Sequence, residues 1–283
     1  MNFSNQIFPS REDIIKLAGK LRPMPEIEEY LEVVEYTNDL LQLAYECEST
    51  TKSINSARDA YSIDPFNSDA LLHLAHRSKL SNSEKLMYLH EALRISIGKL
   101  QEDYFSSNNA PFWLDYETRP FMRTLHCLGI QYSEVDMLDF TEFYWSFALD
   151  LNPNDNQGIR YQLVDLLLRQ NKTNEAKVIL EKYDEQTAQF SYSRLLLGLL
   201  QTSSDEKLDQ LWDAAYKSNQ YVPKLLISRT IPRYEGPYGI GDESEALVYA
   251  SQAWLTWDTN KDARSWLKRK HKVSVQEKLK ELH

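Results

Sequence analysis

The apolar residues between positions 122 and 153 repeat with the period of two helices joined by a short turn. Spacings of three and four place one set of them on a single face of each helix. The residues of this set are Leu125, Leu128, Tyr132, Trp145 and Ala148. A helix pair with one apolar face cannot bury that face alone, so the pattern predicts that several such pairs stack.

Two further residues make the signature of this pair more specific. Gly129 follows Leu128 in the first helix, and Pro153 follows the end of the second. With these residues the stretch resembles a tetratricopeptide (TPR) repeat, and Thr141 is the one departure, from the usual alanine. The resemblance implies an all-α fold, a TPR-like helical-hairpin solenoid with a helical C-terminal cap.

Similar helix endings recur along the chain. The segment 60–70, which contains Pro65, resembles the segment 148–158, and a degenerate copy ends at Asn219. Five repeat-like units are therefore predicted between residues 34 and 220, after N-terminal helices in 1–33. Their approximate bounds are 34–67, 68–101, 122–153, 154–186 and 187–220.

The segment 101–118 is too long for a turn between repeats and interrupts the predicted series. Its aromatic residues include Tyr104, Phe112, Trp113 and Tyr116. Insertions in solenoids map to loops, often on a binding face. Two interpretations stay open: these side chains fill a gap in the stack, or they hold a ligand.

The C-terminal segment 221–283 loses the repeat register and is predicted to cap the stack. Asp242 is a suitable N-cap for a helix over 243–257, and a further helix is expected over 260–270. Both helices carry tryptophan residues that are expected to be buried against the last repeat. These residues are Trp254 and Trp266.

Parts of the C-terminal half are similar to a second known family. The segments VPKLLISRTIP, GDESEALVYASQAW and DARSWL resemble the C-terminal part of the suppressor-of-tumorigenicity protein 7 family, as does the stretch 182–200. The segment LNPNDNQGIRY resembles uncharacterised bacterial TPR proteins that share this tail. The similarity covers about 119–267 and implies no catalytic residues.

The charge of the chain bears on its partners. The net charge is −10, from 32 Lys and Arg against 42 Asp and Glu, which disfavours nucleic-acid binding because a phosphate backbone would be repelled. The tail 261–283 is an exception, with eight basic residues against three acidic ones. It is either a solvated helix or a segment that docks on an acidic surface.

Two observations concern the location of the chain. No signal peptide and no apolar stretch long enough to span a membrane are recognisable in the sequence. Cys47 and Cys127 are too few and too isolated for a disulfide framework, which indicates a reducing compartment. A cytoplasmic location without a membrane span is predicted.

The sequence predicts no catalytic residue, no metal site and no cofactor. His73 and His76 could approach each other on one helix, with His90 on the next, but no cysteine or carboxylate pattern completes a metal site. The glycines at 239 and 241 precede a helix, but they follow no strand and lack the Lys-Ser/Thr pair of a phosphate loop.

The TPR register predicts which side chains line the concave groove. The predicted positions are Glu35, Asn38, Gln42, Asp69, Leu72, His76, Arg123, His126, Ile130, Gln157, Arg160 and Val164. Basic and amide residues cluster in the middle of the series. The predicted peptide-binding set is Arg119, Arg123, His126, Gln157 and Arg160. Arginine forks suit a carboxylate, although each arginine could instead pair with a neighbouring Asp or Glu.

These observations predict a protein- or peptide-binding adaptor or regulatory partner without catalytic activity. The expected ligand is a polypeptide segment with acidic or C-terminal carboxylate character. One alternative is an enzyme whose site lies in the irregular segment 221–245. The other alternative is a self-associating structural protein.

Overall fold

The structure is a computed structural model that describes residues 10–20, 28–100, 103–106, 112–234 and 236–281. Helices and the turns between them make up these residues, and no strand occurs among them. The prediction of an all-α chain is therefore confirmed. The chain divides into two compact units, 1–157 and 158–283, which are described separately below.

The first unit begins with short α1 and continues through three packed helix pairs. Its helices are α1 (Arg11–Ile15), α2 (Glu28–Glu46), α3 (Thr50–Ile63), α4 (Ser68–Arg77), α5 (Asn82–Lys99), α6 (Asp103–Ser106), α7 (Arg119–Glu134) and α8 (Leu138–Leu151). Neighbouring helices pair as α2 with α3, α4 with α5 and α7 with α8. The predicted insertion lies between the second and third pairs, and 101–102 and 107–111 fall outside the described residues.

Local signals fix the ends of these helices. The side chains of Ser49, Asn67 and Ser81 accept hydrogen bonds from backbone amides in the first turns of α3, α4 and α5. Asp64, which precedes Pro65, adopts an extended conformation, so α3 stops there. The core between α2, α3 and α4 is formed by Leu41, Ala44, Ala57, Ala60, Ala70 and Leu74.

Gly129 allows close packing of the third pair. It lies on α7 against the indole of Trp145 on α8, and a methyl group placed on Gly129 would overlap that ring. Trp145 is 5% exposed, and its Nε1 donates a hydrogen bond to the carbonyl of His126. Gly129 thus contacts the second helix of its own pair.

The second unit contains two helix pairs and a C-terminal helical region. Its helices are α9 (Ile159–Arg169), α10 (Thr173–Lys182), α11 (Ala188–Leu200), α12 (Asp205–Ser218), α13 (Val222–Leu226), α14 (Glu243–Thr259) and α15 (Lys261–Glu281). Helices α9 and α10 pack together, as do α11 and α12. Asp242 caps α14 as predicted, because its carboxylate accepts hydrogen bonds from the backbone amides of Ser244 and Glu245.

The packing of the C-terminal helices differs from the prediction in two respects. Trp257 is the completely buried tryptophan of α14, whereas Trp254 is partly exposed and donates a hydrogen bond to the carbonyl of Ser228. Trp266 is also partly exposed, although its ring contacts Trp212 on α12. Helix α15 continues to residue 281, well beyond the predicted end at 270.

Within the part of the chain that the structure describes, no helix combines the length and the apolar character that crossing a membrane requires.

Candidate functional site

The first helices of the three pairs in the first unit lie side by side. Helix α4 contacts both α2 and α7. We call the surface that these three helices present the inner face. It consists of Glu35, Asn38, Gln42 and Tyr45 on α2, Asp69, Leu72 and His76 on α4, and Arg123, His126 and Ile130 on α7. Apart from Tyr45, all of these positions were predicted to line the groove.

An ion pair joins α4 to α7 on the inner face. Arg123 donates from Nε to Asp69 Oδ1 at 2.8 Å and from Nη2 to Asp69 Oδ2 at 2.5 Å. Both forked donors of this guanidinium are therefore occupied by a carboxylate of the same unit. The pairing of Arg123 with a neighbouring acid, which the sequence left open, is found here.

Tyr45 extends the inner face onto α2. Its ring makes an edge-on contact with His73, with 4.7 Å between the ring centroids. Tyr45 is 57% exposed, and its partial desolvation, with the nearby Asp69, raises the pKa of Tyr45 to about 12. At neutral pH the Tyr45 side chain is therefore uncharged, with an apolar ring and a hydroxyl that can donate a hydrogen bond. Sequence reasoning missed it because it lies one turn beyond the groove positions assigned to α2.

His73 has a structural role. Its Nε2 lies 2.7 Å from the hydroxyl of Ser53, which donates to the carbonyl of Ala44, so the three residues link α4, α3 and α2. Burial and the nearby Arg77 lower the pKa of His73. The Nε2 of His90 bonds the hydroxyl of Tyr132 at 2.8 Å. Among the described residues no group of three His, Cys, Asp or Glu could hold a metal ion.

A small cavity of about 60 Å³ opens at one end of the inner face. Its lining includes Leu72, His76, Leu89, Cys127, Ile130 and Gln131. The volume suits one small apolar group, such as the tip of a side chain. Burial raises the pKa of Cys127 to about 11, so its thiol is protonated and a poor nucleophile at neutral pH.

The other predicted groove residues are distributed over both units. Arg119 and Gln157 belong to the first unit, where Arg119 donates to the carbonyl of Trp113 and Gln157 to that of Met122. Arg160 belongs to the second unit. Gln157 precedes α9, so it lies on a loop instead of the predicted helix. Val164 is 1% exposed and is therefore buried instead of lining a groove.

Arg160 belongs to a polar group with Tyr161 and Glu185. Its Nε donates to Glu185 Oε1 at 2.7 Å, and its Nη2 donates to the hydroxyl of Tyr161 at 2.8 Å. The Tyr161 hydroxyl in turn donates to Glu185 Oε2 at 2.5 Å. The guanidinium also lies 4.3 Å from the centre of the Tyr161 ring. Like Arg123, Arg160 is thus engaged by a carboxylate of its own unit.

The aromatic insertion shows both packed and exposed side chains. Phe112 is 2% exposed and lies between Phe105 and Phe121, whereas Tyr116 is 77% exposed. The hydroxyl of Tyr104 donates to Asp115 at 2.9 Å. Trp113 and Tyr116 flank the guanidinium of Arg119, at 5.6 and 4.1 Å from their ring centres. Phe112 therefore packs, while Tyr116 is accessible to solvent.

In the second unit, α14 lies against the first helices of both pairs. It contacts both α9 and α11. Tyr249 on α14 approaches Tyr192 on α11, with 6.0 Å between ring centroids, and accepts a hydrogen bond from Trp257 Nε1. Helix α14 thus covers the first helices of both pairs in the second unit, whereas the first helices of the first unit carry the exposed Tyr45 and Ile130.

Two carboxylates support this covered face, and neither contact was predicted from the sequence. Glu245 is fully buried and accepts hydrogen bonds from the amides of Ala188 and Gly241 and from the side chain of Asn219. Asp165 lies beside Thr256, and burial raises the pKa of Asp165 to about 7. Both contacts join residues far apart in sequence, so periodicity could not reveal them.

In the irregular segment before α14, the backbone amides of two glycines form hydrogen bonds with side chains at the start of the helix. The amide of Gly239 donates to the hydroxyl of Ser244, and that of Gly241 donates to Glu245. Hydrogen bonds from Ser244 and Glu245 lower the pKa of Asp242, as an N-cap requires. These contacts give the amides of Gly239 and Gly241 and the carboxylate of Asp242 hydrogen-bond partners in the first turn of α14.

No protein-family model, curated protein or solved structure matches the chain.

Proposed function

We propose that the chain binds a polypeptide segment on the inner face of its first unit and acts as an adaptor or regulatory partner. The TPR-like character of the helix pairs is part of this proposal, and the side-by-side contacts of α2, α4 and α7 support it. The observation that carries the proposal is that the inner face keeps large apolar side chains exposed. Tyr45 and Ile130 are 57% and 39% exposed.

The chemistry of the inner face suits a polypeptide. Tyr45 and Ile130 offer apolar surface, and the exposed Asn38 offers an amide for backbone groups. The cavity beside Ile130, which α4, α5 and α7 line, takes a small apolar group. The ion pair of Asp69 and Arg123 holds α4 against α7, so the surface is formed before a ligand arrives.

An acidic or C-terminal carboxylate ligand is the narrower form of the proposal. Such a ligand would have to replace Asp69 on the fork of Arg123 or bind Arg123 on its exposed side. Exchange of one carboxylate for another yields little net affinity, because both states contain the same kind of charge-assisted hydrogen bond. We therefore assign the larger part of the affinity to Tyr45, Ile130 and the cavity.

The test is a peptide-display selection against the full chain, followed by fluorescence anisotropy with a selected peptide. The double variant Tyr45→Ala, Ile130→Ala should bind that peptide about tenfold or more weakly, since each truncation removes apolar contact area. Its melting temperature should stay close to that of the wild type. Acidic residues or a required free C-terminus in the selected peptides would support the narrower form.

A matched control is available in the second unit. Val178 and Tyr221 are also exposed, at 64% and 42%, and lie outside the inner face. The variant Val178→Ala, Tyr221→Ala should bind the peptide as the wild type does. Enrichment of no sequence, or an equal loss in the control variant, would contradict the proposal.

A further inference from the structure

Helix α2 presents a second exposed surface, on the side that faces away from its partner helices. Its packed residues are Thr37, Leu41 and Ala44. Tyr36 and Leu43 are seven positions apart, share one edge of the helix, and are 55% and 56% exposed. Large apolar side chains repeated along one helix edge form a patch that a partner can cover.

The same side of α2 is strongly acidic. The helix contains six Asp and Glu and no Lys or Arg. Glu32, Glu35 and Asp39 are exposed and recur at spacings of three and four, directly beside the apolar edge. The whole of 1–157 carries 13 basic and 25 acidic residues, a net charge of −12. A partner for this surface must therefore be basic.

Helix α15 has the complementary character. Its Ala263 and Leu267 are buried against the other helices of the second unit. Lys268 and Lys272 are exposed on the opposite side of α15. Val275 follows on that side and is 40% exposed, so the three residues form a stripe at positions i, i+4 and i+7. The two lysines thus lie one helical turn apart, as do the acidic residues of α2, and the apolar Val275 lies beside them.

We propose that the chain self-associates, with α15 of one copy docking on the acidic, apolar side of α2 of a second copy. In this arrangement Lys268 and Lys272 lie against Glu32, Glu35 and Asp39. The side chain of Val275 covers the apolar edge beside them. A single helix–helix contact of this size is weak, so we expect an association that depends on the protein concentration. The variants that test the proposal leave Tyr45 and Ile130 unchanged, and Glu35 is the residue of α2 that this surface shares with the inner face.

The first test uses the wild-type chain without substitutions. Sedimentation equilibrium over a wide concentration range should show a mass that rises above that of one chain. The association should weaken strongly between 50 and 500 mM NaCl, because exposed charges are screened by salt. A chain that stays monomeric at every concentration in low salt would overturn the proposal, as would association that salt does not weaken.

The second test is a charge exchange between two variants. The variant Glu32→Lys, Asp39→Lys makes α2 basic, and the variant Lys268→Glu, Lys272→Glu makes α15 acidic. Each alone should associate about tenfold or more weakly than the wild type, because like charges then face each other. An equimolar mixture should recover association, since each copy meets an oppositely charged partner.

A control keeps the change of total charge but moves it elsewhere. Asp59 on α3 and Asp213 on α12 are exposed, so the variant Asp59→Lys, Asp213→Lys should associate as tightly as the wild type, within about twofold. A mixture of the two exchange variants that stays monomeric would refute the assigned contact, and so would a control variant that loses association equally.

Discussion

The two units differ in what lies on the first helices of their pairs. In the first unit, Tyr45 on α2 and Ile130 on α7 are 57% and 39% exposed. In the second unit, α14 packs on α9 and α11, and Tyr192 on α11 is completely buried. The same kind of helix pair therefore presents an open face in one unit and a covered one in the other.

This difference teaches that the pairs alone do not decide whether a binding surface exists. In the second unit the surface is filled by a helix with small residues, Ala246, Ala250 and Ala253, between its aromatic anchors. Small side chains let the backbone of α14 approach α9 and α11 closely. In the first unit, by contrast, Tyr45 and Ile130 on the first helices of the pairs stay exposed.

The largest expected effect comes from truncating Trp257, the completely buried aromatic residue of α14. Trp257→Ala should destabilise the chain by about 3–5 kcal/mol, because the side chain is completely buried and its Nε1 bonds the hydroxyl of Tyr249. Urea unfolding measures this loss. Leu255→Ala on the same helix removes a residue that is 38% exposed and should cost less than about 1 kcal/mol. Equal losses would show that α14 is not anchored through Trp257.

The open face depends on the third helix pair, which a second substitution tests. Gly129→Leu should cost about 1–3 kcal/mol or more, because even a methyl group at this position overlaps the Trp145 indole. Thermal unfolding followed by circular dichroism is the measurement. The neighbouring, exposed Ile130→Leu serves as the control. A Gly129→Leu variant that melts at the wild-type temperature would contradict the close packing of α7 on α8.

A smaller expected effect is a pH dependence of stability that comes from Asp165 at the contact between α9 and α14. The folded-state pKa of Asp165 is raised to about 7, above the roughly 3.9 of an unfolded chain, so the folded state binds the proton more tightly. This contribution to stability is complete below about pH 4 and is lost as pH rises through about 7. The nearby charged group is Arg169, and Thr256 and Tyr249 face Asp165 from α14.

The corresponding measurement compares melting temperatures between pH 5 and 9. Asp165→Asn should be less sensitive to pH than the wild type and more stable above pH 7, because the buried amide cannot ionise. The exposed Asp213→Asn serves as the control and should follow the wild-type curve. If Asp165→Asn also follows the wild-type curve, Asp165 does not titrate in the contact between α9 and α14.

The sequence predicted features that depend on neighbours along the chain. Gly129 and Trp145 are read from one repeat period, and the end of α3 follows from a proline after Asp64. Helix α14 and its cap at Asp242 were predicted for the same reason. In each case the signal lies within a single helix or turn.

Contacts between distant residues could not be predicted in this way. Arg123 and Asp69 are 54 positions apart, and Arg160 and Glu185 are 25 apart, so their pairing depends on how helices stack. The choice of Trp257 over Trp254 as the buried residue depends on the rotation of α14 about its axis. Contacts with α9 and α11 set that rotation, and the amphipathic pattern of α14 alone does not specify it.

The most direct test of the difference between the two faces is hydroxyl-radical footprinting of the intact chain, read by mass spectrometry at individual tyrosines. We expect Tyr45 to be oxidised readily, since 57% of it is exposed, and Tyr192 and Tyr249 to be strongly protected, since they are 0% and 3% exposed. In urea all three should react at similar rates, which provides the internal reference. Protection of Tyr45 in the dilute, ligand-free chain, or oxidation of Tyr192 and Tyr249 as fast as Tyr45, would contradict an open first face and a covered second one.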